Sequence, residues 1–315
     1  MRAVGLPWCV GMVLWQWLVA ESHRVSLTWH YGAALALGVG LVVGLRALLQ
    51  PPAPKMGGVR LPWVPALLIC VLTTGGLVWL ALWHLPSGLL FSGVIMMVLC
   101  LTYLVGYVSA PGSVGQRTVL FLLCGGASLA LSAFPIPFVV KLSAYLFMIG
   151  ATFVCLSPVA SRALRYHFPA EVFAALVAAL GCGAAVHFWV DDGHSWLCAE
   201  VLVLWGLFVV CLSTLRLREP SEGSAGEQLL ATSETRRWVV SWVVLVAVVF
   251  RASGWLGHQS SEKFHFNAAA AVCITGLLLA HRARGSVSSR VQRWMVDMAM
   301  VFPPLAVFAW GKLTA

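Results

Sequence analysis

Acidic residues are missing from almost half of this chain. No Asp or Glu occurs between Glu21 and Glu171, although the 315 residues include 11 of them. Carboxylates are the usual protein ligands of Mg²⁺ and frequent general acids and bases. Their absence excludes carboxylate-based and magnesium-dependent chemistry from residues 22–170, a stretch that nevertheless contains several long apolar segments.

Charge of either sign is scarce. Only 10% of the residues are charged, 60% are hydrophobic and the mean hydropathy is +0.90, whereas about 25% of the residues of a soluble domain are charged. The apolar runs of about 17 to 23 residues match the hydrocarbon core of a bilayer. They do not alternate between apolar and polar positions, as the strands of a barrel would. The composition therefore predicts an all-α polytopic bundle of about 9–11 transmembrane helices.

Eleven spans are expected, with boundaries accurate to a few residues. Proline, glycine and short polar clusters separate them. The expected spans are 4–20, 27–49, 63–83, 89–108, 118–134, 137–157, 172–190, 197–215, 238–250, 266–282 and 292–310. The first could also be a signal peptide, but its bulky, Trp-rich end favours a retained helix. We expect a single membrane domain over 1–315, in which a polar cytoplasmic loop, 216–237, separates eight helices (1–215) from the last three (238–315).

Basic residues give the expected orientation. With eleven spans, 15 of the 20 Lys and Arg residues fall on the face of the N-terminus. Positive charge is retained on the cytoplasmic side, so we expect a cytoplasmic N-terminus, an external C-terminus and a location in the bacterial cytoplasmic (inner) membrane. The net charge of +9 is dispersed over the ends of the spans, which favours contact with lipid headgroups and argues against nucleic acid as a partner.

Few residues in the spans are suited to chemistry. The nine cysteines are scattered and form no CxxC motif, so neither zinc nor covalently attached haem is indicated. Asp297 lies one helical turn after Arg293, and we expect these two residues to form an intramembrane ion pair. The densest polar cluster includes His187, Asp191 and His194. Nitrogen and oxygen ligands would suit a divalent transition metal, but a solvated loop explains the same residues.

The order of features resembles the UbiA-type membrane prenyltransferase superfamily, especially its divergent bacterial members. The resemblance is carried by the pair Trp15 and Gln16 in the first helix, by the turn at 41–50 (LVVGLRALLQ) and by the last helix, entered through 289–303 (SRVQRWMVDMAMVFP). It is diffuse and extends over most of the chain. It implies a UbiA-like fold in which the turns after the second and sixth helices bind a prenyl diphosphate.

Enzymes of that superfamily hold magnesium through aspartates in those two turns, and this sequence lacks both Asp-rich motifs. The first turn carries Arg46, and the second carries Arg162 and Arg165 with Glu171 as its single carboxylate. The three arginines are candidates for binding a phosphate or headgroup. Without paired carboxylates a magnesium cofactor is not supported, and no other cofactor or catalytic residue is indicated.

Three functions are compatible with the sequence. The first is a UbiA-like membrane protein without magnesium-dependent prenyltransferase activity, which either binds a lipid or isoprenoid or is a subunit of a membrane assembly. The second is a divergent prenyltransferase that acts on a lipid-soluble acceptor. The third is a transporter, for which polar residues in the middle of the membrane would be required. The expected partners are membrane lipids, a lipid-soluble ligand such as an isoprenoid, and other membrane protein subunits.

Overall fold

The computed structural model describes residues 6–49, 63–85, 96, 98–100, 102–103, 125–126, 128–129, 132, 138–157, 170–187, 199–216, 261–283 and 286–314. Within these ranges the regular structure is helical and includes no strand. The prediction of an all-α protein is therefore confirmed.

Eight long helices have defined bounds. They are α1 (Leu6–Ser22), α2 (Trp29–Leu49), α3 (Trp63–Trp83), α4 (Phe138–Leu156), α5 (Ala170–His187), α6 (Ala199–Arg216), α7 (Ser261–Arg282) and α8 (Ser289–Thr314).

Each of the eight helices coincides with an expected span, and most bounds agree within three residues. Two helices are longer than expected. α7 begins at Ser261 and α8 ends at Thr314, because polar residues such as Glu262 and Lys312 continue a helix beyond its apolar part. The residues described within 89–108 and 118–134 are helical. The expected span 238–250 and the loop after Arg216 lie outside the described residues.

Three helical segments of the described chain are long and apolar enough to cross a membrane: Trp29–Leu48, Val64–Trp83 and Phe264–Arg282. Two shorter apolar helices are Glu171–Gly183 and Glu200–Leu215. These segments are compatible with the transmembrane helices that the composition predicts.

The chain divides into two compact units. Unit 1 comprises Met1–Leu35 and Ala174–Ala315, and unit 2 comprises Ala36–Phe173. In unit 2, α2 and α3 approach closely at Gly44. A Cβ atom at this position would lie 2.7 Å from Cys70 Sγ and 3.2 Å from the Ala66 carbonyl oxygen. Glycine is therefore needed where the two helices meet.

In unit 1, α8 packs against α1, α6 and α7. α7 and α8 run antiparallel, since Gly276 lies against Ala299 while Ala280, further along α7, accepts a 3.5 Å hydrogen bond from Gln292 near the start of α8. Trp15, Phe208 and Phe266 are among the largest fully buried side chains. The core of unit 1 thus combines α1, from the start of the sequence, with α6 and α7 from its second half.

Candidate functional site

The predicted phosphate and metal residues are only partly described. Arg46 lies half-buried in the last turn of α2. Arg162, Arg165, Asp191 and His194 lie outside the described residues, and His187 is the last residue of α5 with its side chain outside them. No group of three or more His, Cys, Asp or Glu side chains that could hold a metal ion occurs in the described part of the chain. The metal and phosphate sites stay predictions.

Arg293 and Asp297 lie on α8, where Arg293 is exposed and Asp297 is half-buried. The Arg293 charge lies within electrostatic reach of the Asp297 carboxylate. Their four-residue spacing suits an ion pair along one helical face, and the pairing itself stays a prediction.

A proline pair interrupts the hydrogen bonding of α8. Pro303 and Pro304 have no N–H, so the carbonyls of Ala299 and Met300 lose their usual donors four residues later. The indole Nε1 of Trp15, on α1, donates a 3.1 Å hydrogen bond to the Met300 carbonyl oxygen. Trp15 is fully buried. A side chain from the first helix therefore satisfies a backbone group that the proline pair leaves without its helical donor.

The neighbouring helices approach this break in α8 through small residues. A Cβ atom at Gly11 of α1 would lie 3.7 Å from the Met300 carbonyl oxygen, and one at Gly276 of α7 would lie 2.9 Å from Ala299 Cβ. The ring of Trp15 meets Phe266 of α7 edge-on, with ring centroids 5.8 Å apart. The break is therefore enclosed by α1 and α7.

Two buried carboxamides lie close to these contacts in the sequence. Gln16 follows Trp15 and is 2% exposed, and Asn267 follows Phe266 and is 5% exposed. Gln16 Oε1, Asn267 Nδ2 and Asn267 Oδ1 have no hydrogen-bond partner within the described part of the chain. Burying a polar group without a partner costs free energy, because its hydrogen bonds to water are lost. These atoms are therefore candidates for contact with a bound molecule.

Histidine and glutamate side chains pair at one end of unit 1. His265 Nδ1 and Glu21 Oε1 are 3.0 Å apart, with side chains that are 24% and 40% exposed. His23 Nε2 lies 3.5 Å from Glu200 Oε2, within ion-pair distance but without hydrogen-bond geometry, and Glu200 is only 2% exposed. The pairs join the end of α1 to the starts of α7 and α6. Each places a possible proton donor beside a carboxylate.

Sequence reasoning singled out Trp15 and Gln16 only as part of the family resemblance and did not identify Asn267 or the two His–Glu pairs. A usable signal was present in the proline pair, since two freed carbonyls in an apolar helix require donors from elsewhere. The sequence does not say that Trp15 is the donor, because 285 positions separate it from Met300.

Fold and site together define a class only: an all-α protein whose helices include segments long and apolar enough to cross a membrane. Comparison with protein-family models, with curated proteins and with solved structures finds no match to this chain. The resemblance to the UbiA-type superfamily therefore stays a prediction.

Proposed function

We propose that this chain is an integral membrane protein that holds a lipid-soluble molecule between its helices. Its membrane location is supported by the side chains that face outward. On α4, large apolar side chains recur every three or four residues along one exposed face: Phe138, Leu142, Leu146, Ile149 and Phe153. Water disfavours a large apolar patch of this kind, whereas lipid chains solvate it.

The binding role is carried by Asn267. Its amide is buried, has a donor and an acceptor without partners among the described residues, and lies within Phe264–Arg282, a segment able to cross a membrane. A lipid or isoprenoid that carries one hydroxyl or amide group could accept from Nδ2 and donate to Oδ1. Phosphates without protons and ketones only accept, so they would satisfy half of the site.

Mass spectrometry of molecules retained by the full chain, purified from its native membrane, tests this role. We expect a defined lipid-soluble molecule in the unaltered protein, its loss in Asn267→Leu and its retention in Thr275→Val. Thr275 lies on the same helix but is exposed, and its hydroxyl bonds to the Ala271 carbonyl. Equal retention by both variants would exclude Asn267, and absence of any retained molecule would exclude the binding function. Proteins recovered with the chain would point instead to a subunit of an assembly.

The proposal includes the absence of magnesium-dependent prenyl transfer. It is supported by Arg46 at the end of α2, near the position where superfamily enzymes carry their first aspartates, and by Glu171, which is 7% exposed at the start of α5. A buried carboxylate is poorly placed to share an ion with a diphosphate in solution. Turnover of a prenyl diphosphate that requires magnesium and is missing from vector-control membranes would favour the divergent prenyltransferase instead.

Transport is less well supported than binding. A broken helix in a transporter commonly offers its free carbonyls to an ion. Here the Met300 carbonyl already accepts from Trp15.

The orientation that accompanies our proposal, with a cytoplasmic N-terminus in a bacterial inner membrane, can be tested with Ser224→Cys. Labelling of that cysteine from the external side would contradict this orientation.

A further inference from the structure

The helices α1 and α7 run antiparallel to each other. A Cβ atom at Gly11 of α1 would lie 3.7 Å from the Met300 carbonyl oxygen of α8. Further along α1, Trp17 packs against Phe308, which lies further along α8. α1 is therefore parallel to α8. Since α7 and α8 run antiparallel, α7 also runs antiparallel to α1.

Gln16 and Asn267 lie on the same side of the contact between α1 and α7. The rings of Trp15 and Phe266 meet across this contact, and each carboxamide directly follows one of these two residues. Successive residues of an α-helix are rotated by about 100° and displaced by about 1.5 Å along the axis. Because the two helices run in opposite directions, the rotation turns the next residue of each helix toward the same side.

The same rotation accounts for a contact on the opposite side. Glu21 comes six residues after Trp15. His265 comes one residue before Phe266. The helical period turns both of these side chains away from the two carboxamides, and they meet there, with His265 Nδ1 and Glu21 Oε1 3.0 Å apart. The observed contact therefore agrees with the relative rotation of the two helices.

The free atoms of the two buried carboxamides define what they can bind. In the part of the chain that the structure describes, Gln16 Oε1 and Asn267 Oδ1 are acceptors without a donor, and Asn267 Nδ2 is a donor without an acceptor. A matching group donates two hydrogen bonds and accepts one. Carboxylates and phosphates without protons only accept, and an ammonium group only donates. Two neighbouring hydroxyls or a primary amide can do both.

We propose that Gln16 and Asn267 together bind the polar head of the lipid-soluble molecule, and that this head is an uncharged group with two hydrogen-bond donors and one acceptor. Asn267 Nδ2 donates to the acceptor, and the two donors bond to Asn267 Oδ1 and Gln16 Oε1. A long-chain glycerol ester with two free hydroxyls and a long-chain primary amide share this chemistry. The inference rests on the binding role proposed for Asn267 and adds Gln16 as the residue that selects the head.

Native mass spectrometry of the full chain, titrated with monooleoylglycerol, oleamide and oleyl alcohol, tests this selection. The first two probes have two donors, and oleyl alcohol has one. Gln16→Met should weaken binding of both two-donor probes about tenfold, because one hydrogen bond in a buried site is lost, and leave binding of oleyl alcohol unchanged. Asn267→Leu should weaken binding of all three probes.

Thr214→Val is the matched control. Thr214 is 1% exposed, but its hydroxyl already donates to the Val210 carbonyl, so the substitution should change none of the three affinities. Preference of the unaltered chain for either two-donor probe over oleyl alcohol supports the proposal. The tighter of these two probes shows whether the head carries hydroxyls or an amide.

Three results would overturn the proposal. The first is equal affinity of the unaltered chain for all three probes, or failure of both two-donor probes to bind. The second is equal weakening of oleyl alcohol binding by Gln16→Met, which would mean that Gln16 does not select the head. The third is a lower melting temperature of Gln16→Met with unchanged affinities, which would indicate that the two carboxamides bond to each other. If Asn267-dependent retention of the native molecule persists in these cases, only the two-donor head fails and the proposed function stands.

Discussion

At the scale of single residues, the most informative contact is the hydrogen bond from Trp15 to the Met300 carbonyl. We expect Trp15→Phe to lower the free energy of unfolding by about 1–3 kcal/mol, because a buried carbonyl freed by Pro304 then lacks its donor. Trp17→Phe is the control. Trp17 packs against Phe308 with ring centroids 4.6 Å apart, and phenylalanine preserves an aromatic contact there.

Thermal or denaturant unfolding of the purified chain in one detergent measures both variants. The larger loss belongs to Trp15→Phe in our account. Equal losses would show that aromatic volume, rather than the hydrogen bond at the proline pair, determines the effect.

Individual residues also mark the limit of prediction from sequence. The proline pair and the pair Trp15 and Gln16 can be read from the chain, but their connection depends on α1 packing beside α8. The partners in each His–Glu pair are also far apart in sequence; Glu21 and His265, for example, are separated by 244 positions. Such contacts follow from tertiary packing, which local patterns do not specify.

At the scale of helices, the contact between α2 and α3 depends on glycine at one position. We expect Gly44→Ala to destabilise unit 2 by about 1–3 kcal/mol through overpacking, because the new Cβ would lie 2.7 Å from Cys70 Sγ and 3.2 Å from a backbone oxygen. Gly38→Ala lies on the same helix and would meet no atom within 4 Å. It should be neutral or slightly stabilising, since alanine favours helix more than glycine does.

Melting temperatures of the two variants, measured side by side, distinguish packing from helix propensity. If Gly44→Ala were as stable as Gly38→Ala, the close approach of α2 and α3 would not hold in the membrane.

The helices themselves were largely predictable. Long apolar runs bounded by proline and glycine locate α3 at the expected residues, 63–83. The ends of α7 and α8 were predicted less well, because polar residues outside the hydrocarbon can continue a helix without changing its apolar part. Pairing of one helix with another was not predictable, since nearly every helix face is apolar in a sequence with so little charge.

At the scale of the whole molecule, the described parts of α3, α4 and α8 carry exposed apolar side chains, while Gln16, Glu200 and Asn267 are buried. This distribution is the basis for placing the chain in a bilayer, and the proposed binding role of Asn267 depends on it. These apolar faces of α3, α4 and α8 favour lipid as their solvent, because water would favour their burial.

Site-directed spin labelling in lipid nanodiscs tests that placement most directly. Single labels would replace Leu72 on α3 and Ile149 on α4, which are 64% and 65% exposed, and the exposed Ser286 between α7 and α8, in a chain without its native cysteines. Our account predicts that lipid-soluble oxygen relaxes the labels at positions 72 and 149 more than a water-soluble nickel chelate does, with the reverse order at position 286. Stronger relaxation by the nickel chelate at positions 72 and 149 would contradict it.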